Sequence, residues 1–242
     1  MARAGEVWRV FQESAVRSSS EVGWDPPRYL EHGTAFVVVR MTVVHDREIT
    51  YGQNLRASTW VRDFRRGILS KREVRLTDDQ GAVARGTQQW AHVSATLKPV
   101  RACQDLCDSF ISRPDLGQIV TLPDLDHPLD GPVHTWEFQC WRTWMDPLGH
   151  VNHPVYVDWC DEAISRLVDN PADVVAVAEQ VAWKSGAVYD DVVRVISQCV
   201  GIDVNGATVF THRLERGDGQ LLATARTHRA LATGAFPSRV SG

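Results

Sequence analysis

The feature that most restricts what this chain can fold into is that it repeats itself. In the first half Tyr51 opens a run through Leu55, Arg56, Thr59 and Trp60. A second run covers residues 72–76, then the turn Asp78-Asp79-Gln80-Gly81, then residues 82–91. In the second half Tyr189 opens a run through Val193, Arg194, Ser197 and Gln198. Residues 210–214 follow, then the turn Arg216-Gly217-Asp218-Gly219, then residues 220–230. Tyr51 and Tyr189, Arg56 and Arg194, and Gly81 and Gly219 all stand 138 positions apart, and no gap is needed between them. One offset shared by three runs and a turn reads as a duplicated supersecondary unit. Both turn glycines sit where a hairpin demands positive φ, which glycine adopts cheaply.

Each half also carries a helix-like segment ahead of its strands. Residues 6–19 place Val7, Val10, Phe11 and Val16 at roughly helical spacing, and residues 155–168 do the same with Val155, Trp159, Ala163, Leu167 and Val168. The β-branched runs at residues 37–39, 43–44 and 192–196 favour strands. Each half therefore reads as one helix against a long, curved antiparallel sheet. The expected class is α+β, a tandem double hotdog: residues 1–100 as the first repeat, 101–132 as a linker holding a short helix near 102–111, and 133–242 as the second repeat. A strand at residues 135–144 precedes the second helix and has no counterpart in the first half. Either the first repeat lacks that strand or the sequence begins short of it.

Composition narrows the function. The chain of 242 residues has a net charge of −4 and a pI near 6.1, which argues against a broad nucleic-acid surface. Apolar runs such as residues 35–39 fall far short of the ~20 residues of a membrane span, and the first residues lack the apolar stretch of a signal peptide. The five cysteines form no paired C-x-x-C sets and read as reduced thiols. A cytoplasmic protein is expected, with no metal and no organic cofactor.

The chemistry concentrates in one segment, residues 144–159. Asp146-Pro147 and Gly149 mark a turn, Asn152 or His153 is a candidate N-cap, and Pro154 suits a first helical turn. An acid, two histidines and an asparagine thus crowd a loop that feeds a helix N-terminus. Backbone N–H groups there can hold a developing oxyanion, worth about 3–4 kcal/mol per donor in acyl transfer. A carboxylate beside them can attack a carbonyl or deprotonate water, and a thioester suits such a site because thiolate leaves readily. Taken singly, Asp146 before proline is an ordinary turn residue and Asn152 an ordinary cap.

The Asp-Pro-x-Gly-x-Val run followed by Pro, Tyr and Trp resembles the active-site segment of 4-hydroxybenzoyl-CoA thioesterases. The spacing of Asp146, His150, Asn152, Tyr156 and Glu162 is similar to that in the second hotdog domain of acyl-ACP thioesterases. The first half resembles the N-terminal domain of that family in the Gln12-Glu13 helix, the strand around Phe36, the Thr59-Trp60 pair and the hairpin ending in Trp90. The resemblance implies a thioester hydrolase. Asp146 matches the nucleophile or general base, His150 the histidine of the acyl-ACP enzymes, and the His153 amide the group that polarises the carbonyl. Asn152 would orient water or substrate. Glu162 is either a supporting acid or a helix-surface charge. Gly149, Tyr156 and Trp144 would meet substrate. Leu148 replaces an asparagine of the plant pattern, and Trp183 and Lys184 stand near its downstream Glu-Cys pair, which favours a single-carboxylate mechanism. Ala2 stands where a first-half acid would fall, so one active site is expected, with the first repeat shaping an acyl pocket.

The implied substrates are thioesters of acyl carrier protein, fatty or polyketide, ahead of coenzyme A, with the protein a monomer or homodimer. The basic stretch Arg62, Arg65, Arg66, Lys71, Arg72 and Arg75 would meet carrier protein or coenzyme A, or form a solvated hairpin face. Tryptophans such as Trp136, Trp141 and Trp144 would line a tunnel or belong to the core. Two alternatives stay open on the same scaffold: a hydratase or dehydratase of acyl thioesters, and a non-catalytic acyl-thioester binding protein.

Overall fold

In the computed structural model residues 3–117, 119–168 and 174–231 are described. Ala2 and residues 232–242 of the expected second repeat lie outside them. The chain divides into two compact units, the first spanning Glu6–Thr121 and the second running from Leu122 onward and also taking Arg3–Gly5, so that the first two residues of the opening helix group with the second unit.

The first unit starts with α1 (Ala4–Glu21) and α2 (Pro26–Glu31), followed by β1 (Thr34–His45), β2 (Arg56–Arg65), β3 (Leu69–Asp78), β4 (Gly81–Ser94) and α3 (Gln104–Ser109). Its antiparallel sheet runs β2-β3-β4-β1. The helix α1 lays Val7, Trp8, Phe11 and Ala15 into the concave face, all 5% exposed or less. Phe11 comes so close to Gly86 of β4 that a Cβ there would meet its ring at 2.6 Å. Gly86 is thus set by contact with the helix and not by its own torsions. At the other end of this face α2 and α3 cover a second cluster built on Trp24, Val61, Leu106 and Phe110. The stretch expected as a linker is divided. Residues 101–117 lie on the first sheet, where the Arg113 amide donates to Val61 O (2.9 Å) and Arg62 reaches Gly117 O (2.8 Å).

The second unit comprises β5 (Leu125–Pro128), β6 (Val133–Gln139), α4 (Val155–Ser165), β7 (Val174–Trp183), β8 (Val192–Asp203), β9 (Thr208–Arg216) and β10 (Leu221–Leu231). Its strand order is β8-β9-β10-β7, with β5 and β6 both added to the free edge of β8. This is the first unit's order plus two strands: β6, which the sequence pointed to, and the short β5, which falls in the stretch expected as linker. The expected 135–144 strand stops at Gln139, and Arg142–Trp144 is a single 3₁₀ turn. Helix α4 ends at Ser165, short of the expected 168.

The repeat extends to the irregularities. The bulge on β1 places Val39 between paired neighbours, and the bulge on β7 does so with Val177. Arg62 bulges from β2 and Val200 from β8. Both pairs keep the offset of 138. A bulge sharpens the local bend of a sheet, so the two sheets bend at equivalent points. Gly81 and Gly219 both adopt positive φ, +117° and +87°. Tyr51 and Tyr189, expected to open strands, sit instead in exposed turns ahead of β2 and β8. The offset holds for them, but a ladder starts only where both edges can pair.

The interior under α4 is polar. Arg229 on β10, 2% exposed, donates to Asp161 of α4 (2.6 Å) and Glu179 of β7 (2.6 Å). Beside it His212 sits between the Ser197 hydroxyl (2.8 Å) and the Thr227 hydroxyl (2.9 Å). Among the described residues no helix is long and apolar enough to cross a membrane.

Burial, with the Arg229 charge as a second cause, holds the His212 imidazole down to about 3. The unfolded chain protonates this group near pH 6.5, while the folded chain does not. Stability is therefore complete above about pH 6.5 and falls by up to about 1.4 kcal/mol per pH unit below it. Urea unfolding at a series of pH values should show this slope between about pH 6 and pH 4. In His212→Gln the slope should be shallower by that amount, whatever the variant's absolute stability.

Candidate active site

The loop from Met145 to Pro154 folds back on itself before α4. Asp146 opens it. The Gly149 amide donates to Asp146 O (3.0 Å), and Asp146 Oδ1 accepts from the amides of Leu148 (2.8 Å) and His150 (3.2 Å). Pro147 pre-sets φ at the second turn position, and Gly149 takes the positive φ (+78°) that closes the turn. The bridge between Met145 and Val151 completes the loop. One carboxylate oxygen of Asp146 is thus fixed by its own loop. The other, Oδ2, accepts no hydrogen bond and enters no ion pair among the described residues. The side chain is half-buried.

The loop is clasped to the segment after β7. The Val151 amide donates to Ala187 O (2.8 Å), and the Ala187 amide donates to the Tyr156 hydroxyl (2.9 Å). Tyr156 is 1% exposed, so it fastens the helix start to this segment from within. The same segment is held from behind. Arg216 donates to Gly186 O (3.2 Å) and pairs with Asp191 (3.1 Å), which in turn accepts from the Val188 amide (2.8 Å). The His150 ring lies on Gly186, where a Cβ would stand 2.5 Å from the imidazole Cδ2. His150 makes no side-chain hydrogen bond among the described residues.

The other expected residues fall as follows. Asn152 does not cap α4. Pro154 is the residue before the helix, and no side chain caps it. The Asn152 backbone carbonyl accepts from Val155 (3.0 Å), while its side-chain Oδ1 is buried without a partner among the described residues. Whichever way that amide is turned, one buried polar atom faces the loop unmet. His153 stacks edge-on against Trp183 at 5.5 Å, and burial pushes its imidazole down to about 3, so the ring is neutral. Trp144 is half-buried among Phe138, Trp141 and Trp159. Glu162 is exposed and paired with Arg166 (2.7 Å), the helix-surface alternative. The first-turn amides of α4 are less open than the sequence implied. Those of Val155, Tyr156 and Val157 already reach carbonyls three residues back, at 3.0, 3.3 and 3.1 Å.

Trp183 and Lys184, which the resemblance aligns near the plant enzymes' downstream Glu-Cys pair, stand at and just after the end of β7. Trp183 packs on His153 and Tyr156, and Lys184 is exposed, but the residues that face the loop are Gly186 and Ala187. Strand β7 ends at Trp183, and the chain needs two or three further residues to turn back under the loop. The glycine alone was a signal, an isolated small residue between two strand runs. One reading of the sequence needs correction: the basic stretch is not one face. Strand alternation turns Arg72 inward (4% exposed), while Arg75 stays outward, paired with Glu73 and lying over Trp60.

Residues 140–233 match the sequence profile of the Thioesterase-like superfamily. No curated protein matches the chain in sequence. Among solved structures, a putative oleoyl thioesterase from Lactobacillus plantarum superposes with a TM-score of 0.78 at 18% identity, covering 95% of this chain and 89% of its own. An acyl-ACP thioesterase from Bacteroides thetaiotaomicron superposes with a TM-score of 0.73 at 16% identity, covering 94% and 90%. A MaoC-like dehydratase also superposes, with a TM-score of 0.60 at 11% identity, covering 91% and 82%. At these identities the likeness establishes the hotdog fold, a scaffold shared by proteins named as thioesterases and as a dehydratase.

Gly186→Ala should force the His150 ring off its seat. A loss of about 1–3 kcal/mol of stability is expected, together with a displaced His150 imidazole resonance. Measurement is by denaturant unfolding and by side-chain NMR.

Proposed function

We propose that this protein hydrolyses an acyl thioester, with Asp146 as the reacting carboxylate. The observation that carries the reading is the half-satisfied carboxylate: Oδ1 held by the Leu148 and His150 amides, Oδ2 uncommitted, at the entrance of α4. The superfamily match over residues 140–233 supports it, since it spans this loop and helix.

The reaction follows one of two routes from this geometry. Asp146 Oδ2 attacks the carbonyl carbon, the tetrahedral intermediate expels thiolate, and water cleaves the resulting mixed anhydride. Alternatively Asp146 takes a proton from the water that attacks the carbonyl. In both, the His153 amide and the positive end of α4 receive the oxyanion, as the family resemblance implies. His150 donates to the carbonyl or to water from its seat on Gly186. The unmet Asn152 amide positions the water. Tyr156 and Gly149 act by holding the loop, and Trp144 supplies an apolar wall. The reading uses no cofactor. The acyl donor is a thioester of acyl carrier protein or of coenzyme A, the former favoured by the superposition on an acyl-ACP thioesterase.

Asp146→Asn keeps an oxygen for both loop amides, so the fold should persist by circular dichroism. Thioester hydrolysis should fall by about 10²–10⁴-fold, the usual worth of a positioned acid or base. Unchanged turnover would remove the proposal. In single turnover in ¹⁸O-labelled water, label in Asp146 marks the nucleophile route with water attacking the aspartyl carbon of the anhydride, since the general-base route puts label only in the released acid. Incubation with enoyl thioesters reports hydration instead, as a loss of enoyl absorbance.

A further inference from the structure

We propose that the interior of the first unit binds the carboxylate of an organic acid with an apolar body, and that Arg72 is the cation that receives it. The starting point is a charge without a partner. Arg72 lies on β3, 4% exposed, inside the concave face. Among the described residues its guanidinium makes no hydrogen bond and no ion pair, and Nη1 is fully buried. Its one close neighbour of note is the Phe110 ring, 5.3 Å from Cζ to centroid. The contrast with Arg229 in the second unit is direct, since that buried guanidinium is met by Asp161 and Glu179. A buried, uncompensated cation is among the costliest groups a fold can carry, and an arginine does not escape by losing its proton. Burial pulls Arg72 down only to about 10, with Tyr29 the nearby group that works the other way, so it is charged at neutral pH.

The surroundings define what would complete it. Tyr29, Phe36, Phe64 and Phe110 form a chain of ring contacts: 5.9 Å from Tyr29 to Phe36, 6.4 Å from Phe36 to Phe64 and 5.9 Å from Phe64 to Phe110. Tyr29, Phe36 and Phe64 are only partly buried, which leaves an approach. Two more polar atoms in this wall are unmet. The Tyr29 hydroxyl is buried and forms no hydrogen bond of normal geometry, although Ser19 is near. His92, 5.0 Å from Phe36, must donate from Nδ1 to Val100 O (3.1 Å), so its buried and unpartnered Nε2 is an acceptor. A cation and a phenol O–H set among aromatic rings fit an anionic oxygen on an apolar or aryl body, while the His92 Nε2 acceptor lies nearby as a spectator to that bond. The planar guanidinium suits a carboxylate, which it can grip with two parallel hydrogen bonds.

The test uses the full chain and a neutral control ligand. Phenylbutanoate and its uncharged amide, phenylbutanamide, are titrated by calorimetry, with the His92 imidazole resonance as a local reporter. The acid should bind about ten- to a hundredfold tighter than the amide, the worth of a charge-assisted hydrogen bond, and should shift His92. Arg72→Met should erase the difference and leave the amide's affinity in place. Arg72→Lys, which keeps the charge and loses the planar fork, should fall between. Equal binding of acid and amide to the wild-type chain, or no binding at millimolar concentration, overturns the proposal without recourse to any variant. So does an acid preference that survives Arg72→Met.

Titration needs no turnover, so this result stands apart from the hydrolysis reading.

Discussion

Much of the second unit's arrangement hangs on the backbone of one residue. Ala187 gives its carbonyl to the Val151 amide and its amide to the Tyr156 hydroxyl. Through the first bond the Asp146 loop is pinned to the segment that leaves β7; through the second the first turn of α4 is pinned to the same point. Both polar groups of a buried residue are spent, so neither can be given up without leaving an unmet donor or acceptor. The His150 ring then comes to rest on Gly186, and Asp146 is held by amides of its own turn. Arg216 and Asp191 brace the clasp from the other side. The loop is therefore set by a scaffold that reaches far along the chain, which is how a short polar turn keeps a defined geometry.

The two units solve the same packing problem differently. Each wraps a curved sheet around a helix and bends it at bulges placed at equivalent positions. Beneath α4 the second unit buries ionised groups, and each has its counter-charge: Arg229 between Asp161 and Glu179. Such a network costs desolvation but leaves nothing unsatisfied. The first unit buries a guanidinium and surrounds it with rings. The two cations stand on non-equivalent strands, Arg72 on β3 and Arg229 on β10, the counterpart of β4, so the repeats differ in where along the shared strand pattern a guanidinium turns inward.

Much of the architecture could be read from residues alone. The offset of 138, the helix spacings of Val7 and Phe11 or of Val155, Trp159 and Ala163, and the hairpin glycines Gly81 and Gly219 are local signals, and local signals survive in a sequence, although Val10 and Val16, read with Val7 and Phe11, turn out exposed and Ala15 buried in their place. The loop at Asp146, Pro147 and Gly149 was legible for the same reason, because an Asx turn is written within four residues. The partner of that loop was not. Gly186 and Ala187 are separated from it by a helix and a strand, and neither residue type announces a role. Arg72 was hidden by proximity to other basic residues, although its neighbours alternate to opposite faces.

What the sequence determined by itself was therefore the set of elements, their duplication and the turn that presents a carboxylate. These depend on torsional preference and on periodicity over a few residues. Tertiary structure alone decided which amides bind that carboxylate's neighbours, that Asn152 leaves its side chain unmet instead of capping a helix, and that one arginine of a basic run is buried among aromatic rings. Burial and hydrogen-bond partnership are properties of distant segments brought together, and no local pattern of residue types encodes them.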